Sequence, residues 1–453
     1  MTLDDLSVDG MAMPEVGRWK VFFIGDNRNS ANWGRSASIA MDQLLSRSFQ
    51  ISGRLTNEMF DLHSAEAGYV GTLAPARYYP HFRYSLERRW RWPFRWYMSV
   101  ERLFGARDFI TEDPVESVDN LVSQKHRYPT LADIYNQAVD ADMLVVDGDG
   151  DIIFSTPPRR VTLFLLAMIE LGIRLKKPVF LVNSMISDCS LTGRNKKTLA
   201  TAKGLLEQCR AVALRDSESL EYVQKEMPGA NANLIPDSLF AWQDLYATDD
   251  SYPPLNGDFL LPHPEKQEYW GKLDFSEPYI CIGGGALAAS QPERSIACYG
   301  PLVDAITELG YRIYLTENDL PDSFLARVAK TKNVGIIPVD APILMCGAVL
   351  AHARLFISGR YHPSIFASLG GTPCIFLATH AHKMGSLSRV LDYEPHLQFN
   401  AFPDETDIAG IVSTARDYLG LGESLRTKIR NVAKMRSEEA AQLPEFLMRH
   451  MNG

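Results

Sequence analysis

A short apolar run, then a polar or glycine-rich break, then a helical pattern: this unit recurs along the chain and limits the folds open to it. WKVFFIGD (19–26), MLVVDG (143–148), PVFLVNS (178–184), AVALRD (211–216), YICIGGG (279–285), RIYLT (312–316), ARLFISGR (353–360) and TPCIFLA (372–378) are runs of this kind. They are nearly continuous in apolar residues rather than alternating. Strands of that composition are buried on both faces, as in a parallel sheet covered by helices. Helical patterns lie between them, for example RRVTLFLLAMIELGIRLKK at 159–177. The order of elements predicts an α/β protein.

At roughly 100–200 residues per domain, 453 residues suggest two or three domains. Residues 18–242 read as one α/β domain, with an insertion at about 72–130 that interrupts the rhythm. Residues 243–277 are rich in Pro, Asp and Tyr, lack period, and read as a linker. A second α/β domain is expected over 278–404 and a helical tail over 405–453. Two such domains leave a cleft between them, a standard place for a small-molecule site.

The charge of −9 comes from 46 basic against 55 acidic side chains, which argues against a general nucleic-acid binder. Six dispersed cysteines without a CxxC pair argue against a disulfide scaffold or a thiolate zinc site. The acidic amino terminus lacks the apolar core of a signal peptide, and the longest apolar runs are too short to span a membrane. A cytoplasmic protein is expected. One local feature departs from the acidic balance: residues 83–102 hold six arginines against two glutamates, with Trp90, Trp92 and Trp96 among them. This stretch reads either as a helical arm whose arginine stems cover its aromatics or as a surface for an anionic membrane or sugar rings.

Candidate site residues cluster at strand ends, where ligands bind in open α/β sheets. Arg360 and His362 follow an apolar strand and precede a short helix with a glycine stop. If the strand reaches Arg360, the two side chains point the same way, one as an anion fork and one as a proton shuttle; the alternative is a structural salt bridge and a structural histidine. Arg215 and Asp216 end another strand, either as a second anion clamp or as an ion pair beside a helix cap. Gly283 and Gly284 either cradle phosphate with exposed amides or make a tight turn. Asp26, Asp147 and Asp149 stand at strand ends as candidate acids and bases. No metal is expected: in DGDGD (147–151) the calcium-loop spacing fails, because its twelfth position is Pro158.

Taken together and in order, these pieces resemble the polysaccharide pyruvyl transferase family. Its Arg-x-His motif followed by Ile-Phe-Ala, Gly-x-Pro and a lysine stands here as Arg360, His362, Ile365, Phe366, Ala367, Gly371, Pro373 and Lys383. Its Arg-Asp-x-x-Ser stands as Arg215, Asp216 and Ser219, its Pro-Asp as Pro236 and Asp237, and another usual acid as Asp340. Two segments depart from the family. Asn-x-Gly-Asp is here Asn32, Trp33, Gly34, Arg35, and a glycine triplet is here Asp147, Gly148, Asp149, Gly150. The resemblance implies two facing Rossmann-like domains (GT-B-like), with the inserted helical and aromatic arm in the first.

It also implies phosphoenolpyruvate as donor substrate without a further cofactor, and a sugar of a surface polysaccharide or its lipid-linked precursor as acceptor. The 83–102 arm would then contact the membrane at its inner face. Arg215, Arg360 and His362 match donor-binding positions, joined by Gly283, Gly284 and Lys383. His362 and the strand-end acids are expected to carry catalysis, and Asn32, Trp33 and Arg35 to meet the acceptor. A nucleotide-sugar glycosyltransferase of the same architecture and a non-catalytic binding protein remain as alternatives.

Overall fold

A computed structural model describes residues 18–28, 32–56, 109–247 and 273–451. The first domain contains β1 (Lys20–Asp26), β2 (Gln50–Thr56), β3 (Met143–Asp147), β4 (Ile152–Phe154), β5 (Val179–Ser184), β6 (Ile186–Asp188), β7 (Ala211–Leu214) and β8 (Ala232–Leu234). Six of these form a parallel sheet in the order β2-β1-β3-β5-β7-β8, and β4 pairs with β6 beside it. The second domain contains β9 (Tyr279–Gly285), β10 (Arg312–Thr316), β11 (Gly335–Ile337), β12 (Leu355–Gly359), β13 (Cys374–Leu377) and β14 (Gln398–Phe399), all parallel, in the order β11-β10-β9-β12-β13-β14. Every residue of β3, β5, β7, β9 and β12 is buried, as their unbroken apolar runs require.

The first domain's helices are α1 (Arg35–Ser46), α2 (Pro114–Gln124), α3 (Pro129–Asp140), α4 (Arg160–Arg174), α5 (Lys196–Leu206) and α6 (Ser217–Glu226). Local chemistry fixes several starts. Asp113 caps α2 by accepting from the Val115 amide, with Pro114 at the first helical position; Asn195 caps α5 and Asp216 caps α6 in the same way. Of the stretch expected as an insertion, 72–130, residues 109–130 belong to this domain's core through Phe109, Ile110, Val118 and Leu121. The remainder, with the arginine- and tryptophan-rich arm at 83–102, lies outside the described residues.

The second domain's helices are α7 (Ala286–Ala289), α8 (Pro292–Thr307), α9 (Phe324–Lys332), α10 (Ile343–His352), α11 (Tyr361–Leu369) and α12 (Lys383–Val390). The chain ends in α13 (Glu405–Ala440), opened by a capping box between Asp404 and Asp407, and α14 (Leu443–Met451). These last helices bind the halves together. On α13, Ile411, Ala415, Ile429 and Ala433 join the second domain's core, whereas Leu443, Phe446 and Leu447 of α14 pack against Val21, Phe23 and Val145 of the first. Arg426 of α13 donates to the carbonyls of Ala351, Ala353 and Gly370, capping the ends of α10 and α11 from behind.

A second tie is made by the turn before α1. Trp33 is fully buried in the second domain's core although it belongs to the first. Its amide donates to the Asn318 carbonyl (2.9 Å), its indole N–H to the Val339 carbonyl (3.2 Å), and Asn32 makes an isolated antiparallel bridge to Asp319. Trp33 was expected to meet an acceptor; with no exposed surface it anchors one domain in the other instead. Trp33→Ala is therefore expected to lower the second domain's unfolding free energy by about 3–5 kcal/mol, the usual cost of emptying a buried tryptophan site. Calorimetric melting reads this as an earlier transition for that domain, and an unchanged transition contradicts the anchoring role.

Candidate functional site

The carboxyl ends of both sheets face one cavity of about 280 Å³. Its centre is a cross-domain ion network. β7 ends at Leu214, and the next residue, Arg215, has a fully buried side chain. Nη1 of Arg215 donates to Asp149 Oδ1 at 2.6 Å and to Asp237 Oδ2 at 2.9 Å. Asp237 sits where the chain leaves β8 and caps a 3-10 helix (Ser238–Leu245) through its other oxygen. From the second domain His362, in the first turn of α11, places Nε2 3.3 Å from Asp237 Oδ2 and 3.6 Å from Asp149 Oδ1. The neighbouring Tyr361 ring lies under the Arg215 guanidinium, 4.1 Å from its carbon.

The charges explain one another. Burial raises a carboxylate's pKa, but His362 and Arg215 outweigh it at both Asp149 and Asp237, assisted at Asp149 by Lys383, and both acids stay below the usual carboxylate range. Asp147 goes the other way: burial, then repulsion from Asp149, hold it well above that range. Its carboxyl accepts from the Asp149 amide and the Asn183 side chain, shaping the turn in which Asp149 takes a left-handed backbone (φ 40°). Asp26 is also raised by burial and pairs with Arg28. Of the three strand-end acids expected to serve catalysis, only Asp149 lines the cavity; Asp26 and Asp147 are buried behind it.

Arg360 and His362 do not point the same way. The strand stops at Gly359 and the chain turns into α11, so period-2 logic ends before Arg360. Arg360 lines the cavity, yet its Nε and Nη2 donate to Asp322 and its Nη1 to Asp319. Gly283 and Gly284 are also committed: a side chain at Gly283 would meet Asn318 and Ser358, and one at Gly284 would meet Asp322. Neither lines the cavity. Gly284 lets the Asp322 carboxylate approach the strand and hold Arg360, in place of an open phosphate cradle.

The Arg-Asp-x-x-Ser segment divides its labour. Asp216 accepts from the Ser219 amide, and His382 of the second domain places Nε2 3.1 Å from Asp216 and 3.2 Å from the Ser219 hydroxyl. That clasp fixes the segment carrying Lys383 over the first domain. Lys383 lines the cavity with its ammonium against Gly150, where any side chain would collide with it. Sequence reasoning weighed Asp151 only as a metal ligand and set that aside, passed over Arg159, Asn318 and Tyr361 as site residues, and treated Asp237 only as a motif position. Asp151 pairs with Arg159 at 2.8 Å, and both line the cavity. A polar residue just beyond a buried strand was the available signal for Asn318, because β10 ends at Thr316.

Desolvation pushes the Lys383 ammonium down to about 8 from an ordinary 10.5, against the pull of Asp149. Competitive acetylation followed over pH is expected to show Lys383 half-titrated near 8. In Gly150→Ala the flexible ammonium is displaced towards solvent, so its midpoint should return towards 10.5. A Lys383 midpoint that is ordinary in both proteins removes the desolvated seat from the site.

Comparison with known proteins agrees with this construction. None of the curated protein sequences matches the chain. Among solved structures, the N-terminal domain of trehalose-6-phosphate phosphatase from Candida albicans superposes with a TM-score of 0.53 at 10% identity, covering 98% of this chain and 99% of that one. UDP-GlcNAc 2-epimerase from Neisseria meningitidis, bound to UDP-GlcNAc, gives 0.51 at 11% identity over 95% and 99%. At such identities the likeness shows the fold, two facing Rossmann-like domains. The family model for polysaccharide pyruvyl transferases matches residues 68–381, which contain Arg215, Asp216, Ser219, Asp237, Arg360 and His362. The chain belongs to the polysaccharide pyruvyl transferase family, enzymes that move a pyruvyl group from a small-molecule donor to a glycan.

Proposed function

We propose that the cavity binds phosphoenolpyruvate and that the enzyme closes a pyruvate ketal across two hydroxyls of a sugar. The observation that carries this reading is Arg215, whose Nε and Nη2 are buried without a hydrogen-bond partner beside Lys383 and His362. A buried donor left unpaired costs about 1–3 kcal/mol. An anionic oxygen accepting from these nitrogens relieves that cost, and arginine forks match phosphate and carboxylate geometry.

The reaction adds a proton to C3 of the donor and a sugar oxygen to C2. The C2–O bond to phosphate then breaks, and phosphate leaves with the bonding pair. The second sugar oxygen adds to C2 and closes the ketal. Of the two hydroxyl protons, one is balanced by the new methyl group and the other by hydrogen phosphate. Arg215 and Lys383 would meet charge as it grows on the departing phosphate. His362, held at Nε2 by Asp237, turns Nδ1 towards Gly34 at the cavity, where it can take a hydroxyl proton. A lipid-linked sugar, presented at the cytoplasmic face of a membrane, is the acceptor form that the basic, tryptophan-rich 83–102 stretch of the sequence suits.

Phosphate release from phosphoenolpyruvate, assayed with a panel of glycans, tests the reading. Release should depend on acceptor and fall about 10²–10⁴-fold in His362→Gln, with donor affinity changed far less. An enzyme that does not bind phosphoenolpyruvate rejects it. Donor affinity should also fall tenfold per pH unit above about 8, where free Lys383 loses its proton. Lys383→Arg, charged throughout, should flatten that limb; a limb that persists assigns it to another group.

A further inference from the structure

The cavity has two ends, and each holds the same pair of features. At the end formed by the first domain and α12 stand Arg215, with two unpartnered buried nitrogens, and Lys383, which has no carboxylate partner among the described residues. At the other end stand Asn318 and Arg35. Asn318 is 1% exposed and lines the cavity, and its Nδ2 is buried without a partner. Arg35 donates through Nη2 to the Ala341 carbonyl and likewise has no carboxylate partner among the described residues. The Asn318 carbonyl receives the Trp33 amide, so Asn318 and the turn that leads into Arg35 are adjacent.

The remaining cations of the lining are neutralised where they stand: Arg159 by Asp151, Arg215 by Asp149 and Asp237, Arg360 by Asp319 and Asp322. Among the described residues, Lys383 and Arg35 are thus the lysine and arginine of the lining without a salt bridge to a carboxylate, and His362 lies between them. Its Nε2 faces Arg215 and Asp237, and its Nδ1 faces Gly34, the residue before Arg35.

We propose that phosphoenolpyruvate lies across His362, its phosphate at the Arg215–Lys383 end and its carboxylate at the Asn318–Arg35 end. This rests on the donor reading above and replaces Arg360 by Arg35 and Asn318 as the second anion contact. The phosphate has three terminal oxygens and meets the end richer in free N–H groups. The planar carboxylate meets a planar guanidinium and one amide. C2 and C3 then sit beside the imidazole, a side chain placed to move protons between donor and acceptor.

Calorimetric titration of phosphoenolpyruvate into the full chain, with inorganic phosphate and pyruvate as separate competitors, tests the orientation. Lys383→Met and Arg35→Gln should each weaken phosphoenolpyruvate at least about tenfold, the scale of a lost hydrogen bond to a charged group. Phosphate should lose its competition in Lys383→Met and keep it in Arg35→Gln; pyruvate should show the reverse. Asn318→Leu should follow Arg35→Gln, and thermal melting of all three variants checks that they fold. The opposite pattern, equal sensitivity of both probes, failure of both to compete, or undiminished phosphoenolpyruvate binding by Arg35→Gln overturns the orientation and leaves the donor reading standing. A folded wild-type protein that does not bind phosphoenolpyruvate overturns the donor reading itself.

Discussion

The carboxylate of Asp237 is the point on which the rest of the site depends. It is fully buried, and one of its oxygens serves both Arg215 of its own domain and His362 of the other. A buried arginine needs a counter-charge, and a buried carboxylate needs one in return. Arg215 and Asp237 satisfy each other within one domain, and the His362 contact to the same oxygen is made only when the domains meet in this register. The ion network is therefore also a statement about domain geometry. Trp33 in the second domain's core, α14 against the first domain's sheet, and the His382–Asp216–Ser219 clasp all hold the same closure. The polar centre specifies the geometry, and the apolar anchors stabilise it, because buried ion networks contribute little net free energy of their own.

Much of the architecture was legible in the sequence because parallel strands leave a plain mark. A strand covered on both faces reads as a nearly continuous apolar run, with polar residues only towards its carboxyl end, and β3, β5, β7, β9 and β12 fit that pattern. The residues just beyond these strands were legible for the same reason, since a polar side chain after an apolar run must lie at a sheet end. That logic drew attention to Arg215 and His362, both of which line the cavity. It could not tell which strand-end group reaches the cavity and which lies behind it. Asp147 and Asp149 differ by two positions, yet the first shapes the turn and the second faces the ligand space. The difference comes from the left-handed backbone at Asp149, a tertiary fact.

Arg360 teaches the same limit from the other side. Its position in an Arg-x-His motif suggested a free anion fork. The partners that neutralise it, Asp319 and Asp322, come from a different strand–helix connection some forty positions earlier, and no local pattern announces such a pairing. Glycine was misleading in a related way. The three glycines that end β9 suggested exposed amides, but Gly284 is small because Asp322 needs the space. A glycine can admit a ligand or a neighbouring side chain, and sequence alone does not distinguish the two.

The same accounting of charge says what kind of ligand the cavity favours. A cavity lined by several arginines looks like a general anion trap, but most of this charge is cancelled by carboxylates in contact with it. What is left among the described residues is one cation without a salt bridge at each end, and a buried unpaired donor beside each. An anion with a single charged group satisfies one end and leaves the other desolvated and unpaired. A ligand with two anionic groups at the right separation satisfies both. Discrimination of this kind is strong because its penalty falls on the protein's own unmet groups. In the proposed orientation the ion pairs of Arg159, Arg215 and Arg360 set selectivity by what they remove. They leave two sites of attraction, and they place the histidine between them.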